Sequence, residues 1–389
     1  MSSREFTIRA VSQVSEVDRD AWEACANPGG DIPTDPFLSF EFLAAAEDSG
    51  SATSEHGWAA HHLVMEDDTG DIVGVVPLYL KGHSQGEYVF DHGWADAFYR
   101  AGGEYYPKLL GAVPFTPVTG RRILVRPGEN ARAFEQHLIA AAVEVTKQLG
   151  VSSLHFNFLL ESQWQQLSEA GFLGRMDQQF HWQNNAYGSF DDFLGELSSK
   201  KRKNLKRERR LATEHDIDIH WLTGADLTEA HWDAFYQFYM DTGSRKWGRP
   251  YLNREFFSLI NQTMADRILL IMCEREGRYV AGALNFIGSH ALYGRNWGCI
   301  EDHPFLHFET CYYQAIDFAI ARGLARVEAG AQGPHKLARG YLPTRTYSAH
   351  WIANESFREA VDNYLKRERR YVDEEIQMIG EHSPFRQSD

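Results

Sequence analysis

The chain has 389 residues, more than one hydrophobic core usually serves, and 43% of them are apolar, so two well-packed domains are expected. Its 54 Asp and Glu against 39 Lys and Arg leave a net charge of −15, which argues against a DNA-binding protein or a binder of anionic membranes, although a local basic patch still acts over about 8 Å in physiological salt. Four cysteines (Cys25, Cys273, Cys299, Cys311) lack metal-ligand spacing, no apolar run approaches about 18 residues, and Met1 to Ala10 has no signal-peptide core, so a cytoplasmic protein with reduced thiols, no metal and no integral membrane segment is expected.

In chain order, a polar helix is expected over 17–26 and a second over 40–47, separated by a turn-rich stretch. Strands follow over 61–66 and 72–80, joined by the Asp67-Asp68-Thr69-Gly70 turn, and 88–90 is expected to extend the sheet. Residues 96–130, rich in Tyr, Pro and Gly, read as a long insertion without secondary structure, a kind of loop that is often functional. Phe134, Leu138, Ala142 and Val145 predict a helix over 131–149 that stops at Gly150, followed by a strand over 151–158. The second half repeats the plan. Helices over 229–241 and 253–262 precede strands over 268–273, 280–287 and 291–297, then a helix over 308–322 ending at Gly323 and a strand over 325–329.

The repetition extends to the letters. Pro36-Phe37-Leu38-Ser39-Phe40-Glu41-Phe42 lines up with Pro250-Tyr251-Leu252-Asn253-Arg254-Glu255-Phe256, Glu66 and Gly74 match Glu274 and Gly282, and Asp20-Ala21-Trp22 answers Asp233-Ala234-Phe235. Two copies of one α/β unit are therefore expected, as domains over 1–188 and 189–389, with the functional site where the copies meet or differ. Mixed sheets with an early hairpin and one late crossover helix suggest α/β architecture of the α+β kind, in the tandem arrangement of the GNAT acyltransferase superfamily.

The segment Gly330-Ala331-Gln332-Gly333-Pro334-His335-Lys336-Leu337-Ala338-Arg339-Gly340-Tyr341, followed by Pro343-Thr344-Arg345-Thr346-Tyr347-Ser348-Ala349-His350-Trp351, resembles the signature of the FemAB-like, DUF482 group of peptidoglycan biosynthesis or recognition proteins. Tyr79-Leu80-Lys81-Gly82-His83-Ser84, Gly86-Glu87-Tyr88-Val89-Phe90-Asp91 and Tyr105-Tyr106-Pro107-Lys108-Leu109 carry the likeness into the first half. The resemblance implies transfer of an acyl or aminoacyl group to an amine, with a cell-wall precursor or a small molecule as acceptor and acyl-CoA or aminoacyl-tRNA as donor. The second copy is expected to hold the donor cleft and the first to supply acceptor contacts. Two rivals stand beside this: a CoA-dependent N-acetyltransferase of a small amine or peptide, and a non-catalytic muropeptide-recognition protein. No full pyrophosphate loop precedes either closing helix, and Arg126-Pro127-Gly128-Glu129-Asn130-Ala131 is only a degenerate one, which counts against ordinary CoA binding.

Acyl transfer needs a base for the ammonium and donors for the developing oxyanion. His335 is the first candidate base because imidazole titrates near neutrality, and Glu328, at the end of a strand, is the second if burial raises its pKa. Around them, Lys336, Arg339 and Tyr341 offer cations and a phenol in a glycine-rich loop suited to phosphate or carboxylate. His307 and Glu309 open the closing helix as binding or orienting residues; His303, one turn before His307, is separated from it by Pro304, which speaks against a metal pair. Arg295 and Trp297 on a strand, and Lys81, Tyr105, Tyr106 and Lys108 at a pocket rim, complete the expected substrate contacts, with Trp94 and Tyr293 as weaker aromatic candidates. The run 200–210 packs eight Lys or Arg into eleven residues, and its Lys-Arg-Glu-Arg-Arg element recurs at 366–370. Such a run is ordinarily a solvated helix face. By resemblance to Fem-type enzymes, however, Lys201 and Arg202 are expected to meet substrate phosphate, or the run to meet tRNA.

Overall fold

The computed structural model describes residues 6–214, 216–246, 250–331 and 333–386; Gln332 of the glycine-rich segment lies outside them. The chain forms two compact units, Met1–Asp177 with Arg345–Asp373, and Gln178–Thr344 with Glu374–Asp389. A single cut at 188/189 misses this division, because residues 345–373 return to the first unit and 178–188 already belong to the second.

Unit 1 runs β1 (Thr7–Val11), α1 (Arg19–Ala26), α2 (Phe40–Asp48), β2 (Trp58–Ala60), β3 (His62–Glu66), β4 (Ile72–Val76), β5 (Leu78–Lys81), α3 (His92–Arg100), β6 (Lys108–Gly111), β7 (Leu124–Val125), α4 (Ala131–Gln148), β8 (Ser153–Leu159) and α5 (Glu161–Glu169), and reaches into β9 (Leu173–Gln183). Unit 2 continues through α6 (Phe190–Glu196), α7 (Ser199–Ala212), β10 (Ile217–Leu222), α8 (Glu229–Lys246), α9 (Arg254–Met264), β11 (Ile268–Arg275), β12 (Arg278–Ile287), β13 (Ala291–Cys299), α10 (Leu306–Phe308), α11 (Gln314–Ala321) and β14 (Arg326–Glu328); β15 (Leu342–Ile352) and α12 (Glu355–Glu381) follow.

The duplication is real and has local causes. In each unit a strand pairs antiparallel with the first strand of a hairpin, β1 with β3 and β10 with β11. Each unit also ends in a parallel pair separated by a helix, β6 with β8 around α4 and β13 with β14 around α10 and α11. The repeated heptapeptide is a capped helix start: the Ser39 and Asn253 side chains accept from the backbone N–H of Phe42 and Phe256, and both rings are buried. The repeated hairpin glycine faces a methionine in both copies, Gly74 across from Met65 and Gly282 across from Met272. Trp22 and Phe235, the matched aromatics of α1 and α8, are fully buried.

Several expectations need correction. The strand predicted over 72–80 is two strands, because Pro77 has no N–H to give a ladder. Residues 88–90 form no strand: Tyr88 sits at φ 59° in an irregular connection. The insertion 96–130 is not structureless, since α3 extends into it and it supplies β6, which joins β5 to β8, and β7. Strands β1, β2, β9, β10 and β15 lie outside the expected elements. After its closing strand each copy sends one more strand away: residues 181–183 of β9 pair with β14 in unit 2, and residues 347–352 of β15 pair with β8 in unit 1.

Candidate active site

In unit 2, β13 and β14 pair in parallel through only three positions, Ala291 with Arg326, Leu292 with Val327 and Tyr293 with Glu328. β14 then ends, whereas β13 continues to Cys299 with β12 on its other side. A bulge between Leu284 and Asn285 leaves Arg295 as the extra residue of β13 and re-aims the strand there. Where the two strands part lies a cleft of about 120 Å³, walled by Asn285 and Gly294 to Trp297 on the strands, Ala329 beyond β14, and His307, Cys311 and Tyr312 from the helical segment. A strand edge without a neighbour presents N–H groups, the kind of donor an acyl carbonyl needs as it becomes an oxyanion. Gly294 keeps this wall low: a Cβ there would stand 3.4 Å from the Glu328 carbonyl and 3.5 Å from Asn285 Oδ1.

The helical wall owes its shape to a π-turn. Between α10 and α11, Glu309–Tyr313 adopts π-helical spacing, which brings residues five apart onto one face. His307 and Tyr312 accordingly lie together at the cleft, rings 5.5 Å apart, with Trp297 5.2 Å from His307 across it. Burial pushes the Tyr312 phenol well up, so it keeps its proton. Behind it stands His335, on a 3-10 turn over Pro334–Arg339, with Nε2 3.0 Å from Tyr312 Oη and its ring 5.5 Å from Phe308. Gly333, at φ 106°, makes room: a Cβ there would fall 2.2 Å from the His335 ring.

The other residues of the glycine-rich segment hold this pair in place. Lys336 is buried and its pKa is pushed down to about 8 by that burial; its ammonium donates to the carbonyls of Ala329 and Gly330, the latter at 3.1 Å, fixing the chain just after β14. Arg339 donates to the His335 carbonyl at 2.7 Å, pairs with Glu208 at 2.7 Å and lies 3.5 Å over the Phe308 ring. Tyr341 is fully buried, its hydroxyl donating to the Tyr312 carbonyl at 3.1 Å. From α7, Arg209 forks onto Glu309 at 2.8 and 3.1 Å and onto Asp317 at 2.7 Å. Burial raises the Glu309 pKa against the opposing pull of Arg209, and Gln314 donates to the same carboxylate at 2.8 Å. The lysine- and arginine-rich helix is therefore not merely solvated, since one of its cations anchors the π-turn.

Of the expected site residues, Arg295, Trp297 and His307 line the cleft, and His335 reaches it through Tyr312. Lys336, Arg339, Tyr341 and Glu309 are buried supports. Glu328 does not line the cleft; it is buried, accepts from Arg326 at 2.8 Å and lies 3.7 Å from His181. Lys201 and Arg202 are half-buried on α7, away from the cleft lining. His303 pairs with Glu301 at 2.8 Å, and no cluster able to hold a metal occurs among the described residues. Tyr293 is buried beside the point where the strands part. Asn285, Gly294, Cys311 and Tyr312 were missed, because only the bulge and the π-turn, neither visible in the pattern of letters, bring them to the cleft.

In unit 1 the structure does gather Lys81, Tyr105, Tyr106 and Lys108, but inside the fold rather than at a rim. Lys108 is fully buried, donating to Ser84 and Glu87 at 2.8 Å and to Asp91 at 2.5 Å. Burial works against its charge, yet the two carboxylates outweigh burial and raise its pKa. Tyr105 donates to Asp91 at 2.7 Å, and Tyr106 shares a hydrogen bond with Ser84 at 2.7 Å. Lys81 rests 3.6 Å over the Trp58 ring, and burial pushes its pKa down to about 7. Trp94 stacks under Arg175 at 5.2 Å. Beyond the parallel pair β6–β8 the corresponding point is bridged: Gly120 pairs with Leu159, and the buried Arg122 guanidinium donates to the carbonyls of Asn157 (2.9 Å), Arg121 and Val118. The copies thus differ at the same topological point, open in unit 2 and filled in unit 1.

The fold has known counterparts. FemX matches 92% of this chain and all of its own at 12% identity with a TM-score of 0.57. The C-terminal domain of a putative lysylphosphatidylglycerol synthetase from Agrobacterium fabrum matches at 9% identity, with 91% of this chain and 97% of that one covered and a TM-score of 0.56. L-PGS from Bacillus licheniformis gives 9% identity, 86% and 98% coverage and a TM-score of 0.52. At such identities the likeness speaks for the fold alone. No curated protein matches the sequence. The profile of the FemAB-like family, described as peptidoglycan biosynthesis/recognition, spans residues 13–387, nearly the entire chain. With that match over nearly its whole length, the chain belongs to the FemAB-like family, described as peptidoglycan biosynthesis/recognition.

Proposed function

We propose that this acyltransferase carries an acyl or aminoacyl group in the β13–β14 cleft of unit 2 and delivers it to an amine of a peptidoglycan precursor. The carrying observation is the cleft itself, which puts an unpartnered strand edge for the carbonyl oxygen opposite a phenol for proton transfer. The acyl carbonyl accepts from N–H groups of β13 beyond Tyr293. As the amine attacks, Tyr312 Oη passes the proton lost by the nitrogen to His335 Nε2. When the tetrahedral intermediate collapses, the same pair returns a proton to the departing sulfur or oxygen. His335 acts through Tyr312 and is a positioning and proton-holding residue, a role its hydrogen bond to the phenol allows.

The donor is acyl-CoA or an aminoacyl-tRNA. For the second, the exposed face of α7, with Lys200, Lys203 and Arg207, supplies a basic surface on an otherwise acidic chain. No helix among the described residues is long and apolar enough to cross a membrane. A thermal-shift screen of the full chain against acetyl-CoA, charged tRNA and UDP-linked muropeptides tests the reading, because a ligand of the folded state raises its apparent stability by mass action. The reading expects one donor and one acceptor to shift the transition and to yield an acylated acceptor by mass spectrometry; a muropeptide that shifts it with no product under any donor favours recognition instead.

A further inference from the structure

The sheet of unit 1 has one apolar face and one polar face. Phe156 and Leu159 of β8 and Ala349 of β15 belong to the apolar core, so Ser153, His155 and Asn157, with Ser348 and His350, lie on the other side. All five are buried, and the hydrogen bonds among them run in one direction. Ser152 gives its hydroxyl proton to the Tyr105 carbonyl, which can only accept, so across the 3.1 Å between the two serines it is Ser153 that donates. With that proton committed, Ser153 accepts at 2.7 Å from His155 Nε2–H. Tyr105 Oη, 3.5 Å from the same nitrogen, has likewise given its proton to Asp91. Burial pushes the His155 pKa down to about 3, so the ring is neutral and its Nδ1 is bare. His350 therefore donates from Nδ1 to it at 2.6 Å and keeps a bare Nε2, which accepts from Ser348 Oγ–H at 2.9 Å. Burial lowers the His350 pKa as well, so this nitrogen carries no proton at neutral pH. Trp94 meets the His350 ring edge-on at 4.9 Å and fixes its plane.

Ser348 opens onto a pocket of about 20 Å³. In the β8–β15 register Tyr347 faces Leu159 and Ala349 faces Phe156, so Ser348 stands across from two residues, Asn157 and Phe158, and the bulge holds Phe158 at φ 55°. Phe158 walls the pocket, as does Tyr88, which is 39% exposed, sits at φ 59° and brings the opening to the surface. Strained backbone of this kind concentrates at functional sites. Arg175 and Asp177 also line the pocket, but the guanidinium is already committed, Nε and Nη2 to Glu368 and Nη1 to the Phe90 carbonyl. The Asn157 amide is 1% exposed, and neither its oxygen nor its nitrogen has a hydrogen-bond partner in the protein.

We propose that Ser348 is the nucleophile of a second site, in unit 1, that cleaves esters or thioesters of small acyl groups, with His350 as its base and Asn157 as donor to the oxyanion. Nucleophile, base and the group that orients the base stand in hydrogen-bond sequence, Ser348 to His350 to His155. Ser348 Oγ attacks the carbonyl carbon as His350 Nε2 takes its proton, and Asn157 Nδ2 donates to the oxygen that becomes negative. The bond from that carbon to the alcohol oxygen or thiol sulfur then breaks, and His350 hands the proton to the leaving atom. Water attacks the acyl-serine in turn, its proton passes through Nε2 back to Oγ, and the free acid departs. A space of about 20 Å³ admits a group about the size of a water, so the acyl part is as small as acetyl, with the alcohol or thiol part outside at Tyr88. No step draws on the unit 2 cleft, so the test below is independent of the donor bound there.

Methanesulfonyl fluoride, a reagent of matching size, and p-nitrophenyl acetate test this on the full chain, with circular dichroism confirming that each variant is folded. Peptide mass spectrometry of the folded wild type is expected to find a methylsulfonyl group on Ser348, the new Oγ–S bond replacing S–F as fluoride leaves with the proton. Ser348→Ala is expected to lose acetate hydrolysis down to the solvent background. His350→Gln is expected to slow labelling and hydrolysis at least about 10²-fold, and Asn157→Ala to slow hydrolysis about 10²- to 10³-fold. A wild type whose Ser348 stays unlabelled under excess reagent overturns the proposal by itself, whether or not the variants fold. So does labelling that proceeds as fast in His350→Gln, or acetate hydrolysis undiminished in Ser348→Ala.

Discussion

Tyr312 Oη and His335 Nε2 lie 3.0 Å apart, one at the wall of the unit 2 cleft and the other directly behind it. Neither position explains itself alone: the tyrosine faces the cleft only because a π-turn advances it, and the histidine meets it only because Gly333 leaves space for the ring. Tyr312→Phe removes the proton carrier and keeps the ring, so turnover should fall about 10²- to 10⁴-fold while donor-induced thermal shifts persist. His335→Ala should lose a similar factor in turnover while donor-induced thermal shifts persist. Retained turnover in Tyr312→Phe would remove the pair from the mechanism.

Two glycines of β13 should respond in opposite ways. A methyl at Gly294 meets oxygens only at ordinary contact distances of 3.4 and 3.5 Å, so Gly294→Ala should unfold within about 0.5 kcal/mol of the wild type yet narrow the cleft and raise KM for the donor. At Gly298 a Cβ would stand 2.3 Å from the Phe238 backbone oxygen of α8. Gly298→Ala therefore forces strand and helix apart and should cost about 1–3 kcal/mol in urea unfolding. Equal effects at the two sites would contradict the open wall.

The Arg209–Glu309 pair predicts an asymmetry of another kind. Removing the cation by Arg209→Met strands a buried carboxylate and should destabilise by about 2–4 kcal/mol. Replacing both partners, Arg209→Met with Glu309→Leu, should recover much of that loss, as a double-mutant cycle in denaturant would record. Additive losses would mean that the pair does not anchor the π-turn.

Lys81 gives a pH signature. Its folded pKa of about 7 lies below the ordinary lysine value of 10.5, so between these values the unfolded chain binds the extra proton. The stability cost of burying the ammonium is complete below about pH 7 and is relieved as the pH rises toward 10.5. The stability difference, Lys81→Met minus wild type, should accordingly shrink over that window in parallel denaturation series. A difference constant with pH would place the lysine in a solvated state.

Much of the architecture could be read before any coordinates. The two capped helix starts at Ser39 and Asn253, and the Gly74 and Gly282 hairpins opposite methionines, are local chemistry repeated in order, and local chemistry is what a sequence displays. The strands that leave each copy were not readable, since pairing of β9 with β14 and of β15 with β8 is decided by long-range contacts that no periodicity marks. At the site, His307, Arg295 and Trp297 were legible as chemistry-bearing residues near a strand end and a helix start. Tyr312 carries no signal in the sequence, because only the π-turn brings it to the cleft. Lys81 and Lys108 were misread as a rim because lysine is almost never fully buried without partners, and those partners, Glu87 and Asp91, come from an irregular connection.

The most direct test is a crystal structure with a non-reactive donor analogue, tried as an acyl-CoA thioether and as an aminoacyl adenosine amide. The acyl group should lie where β13 and β14 part, with its carbonyl oxygen against the backbone of residues 294–297 and its leaving atom toward Tyr312. An analogue that binds elsewhere and leaves this cleft untouched would contradict the assignment of the donor site.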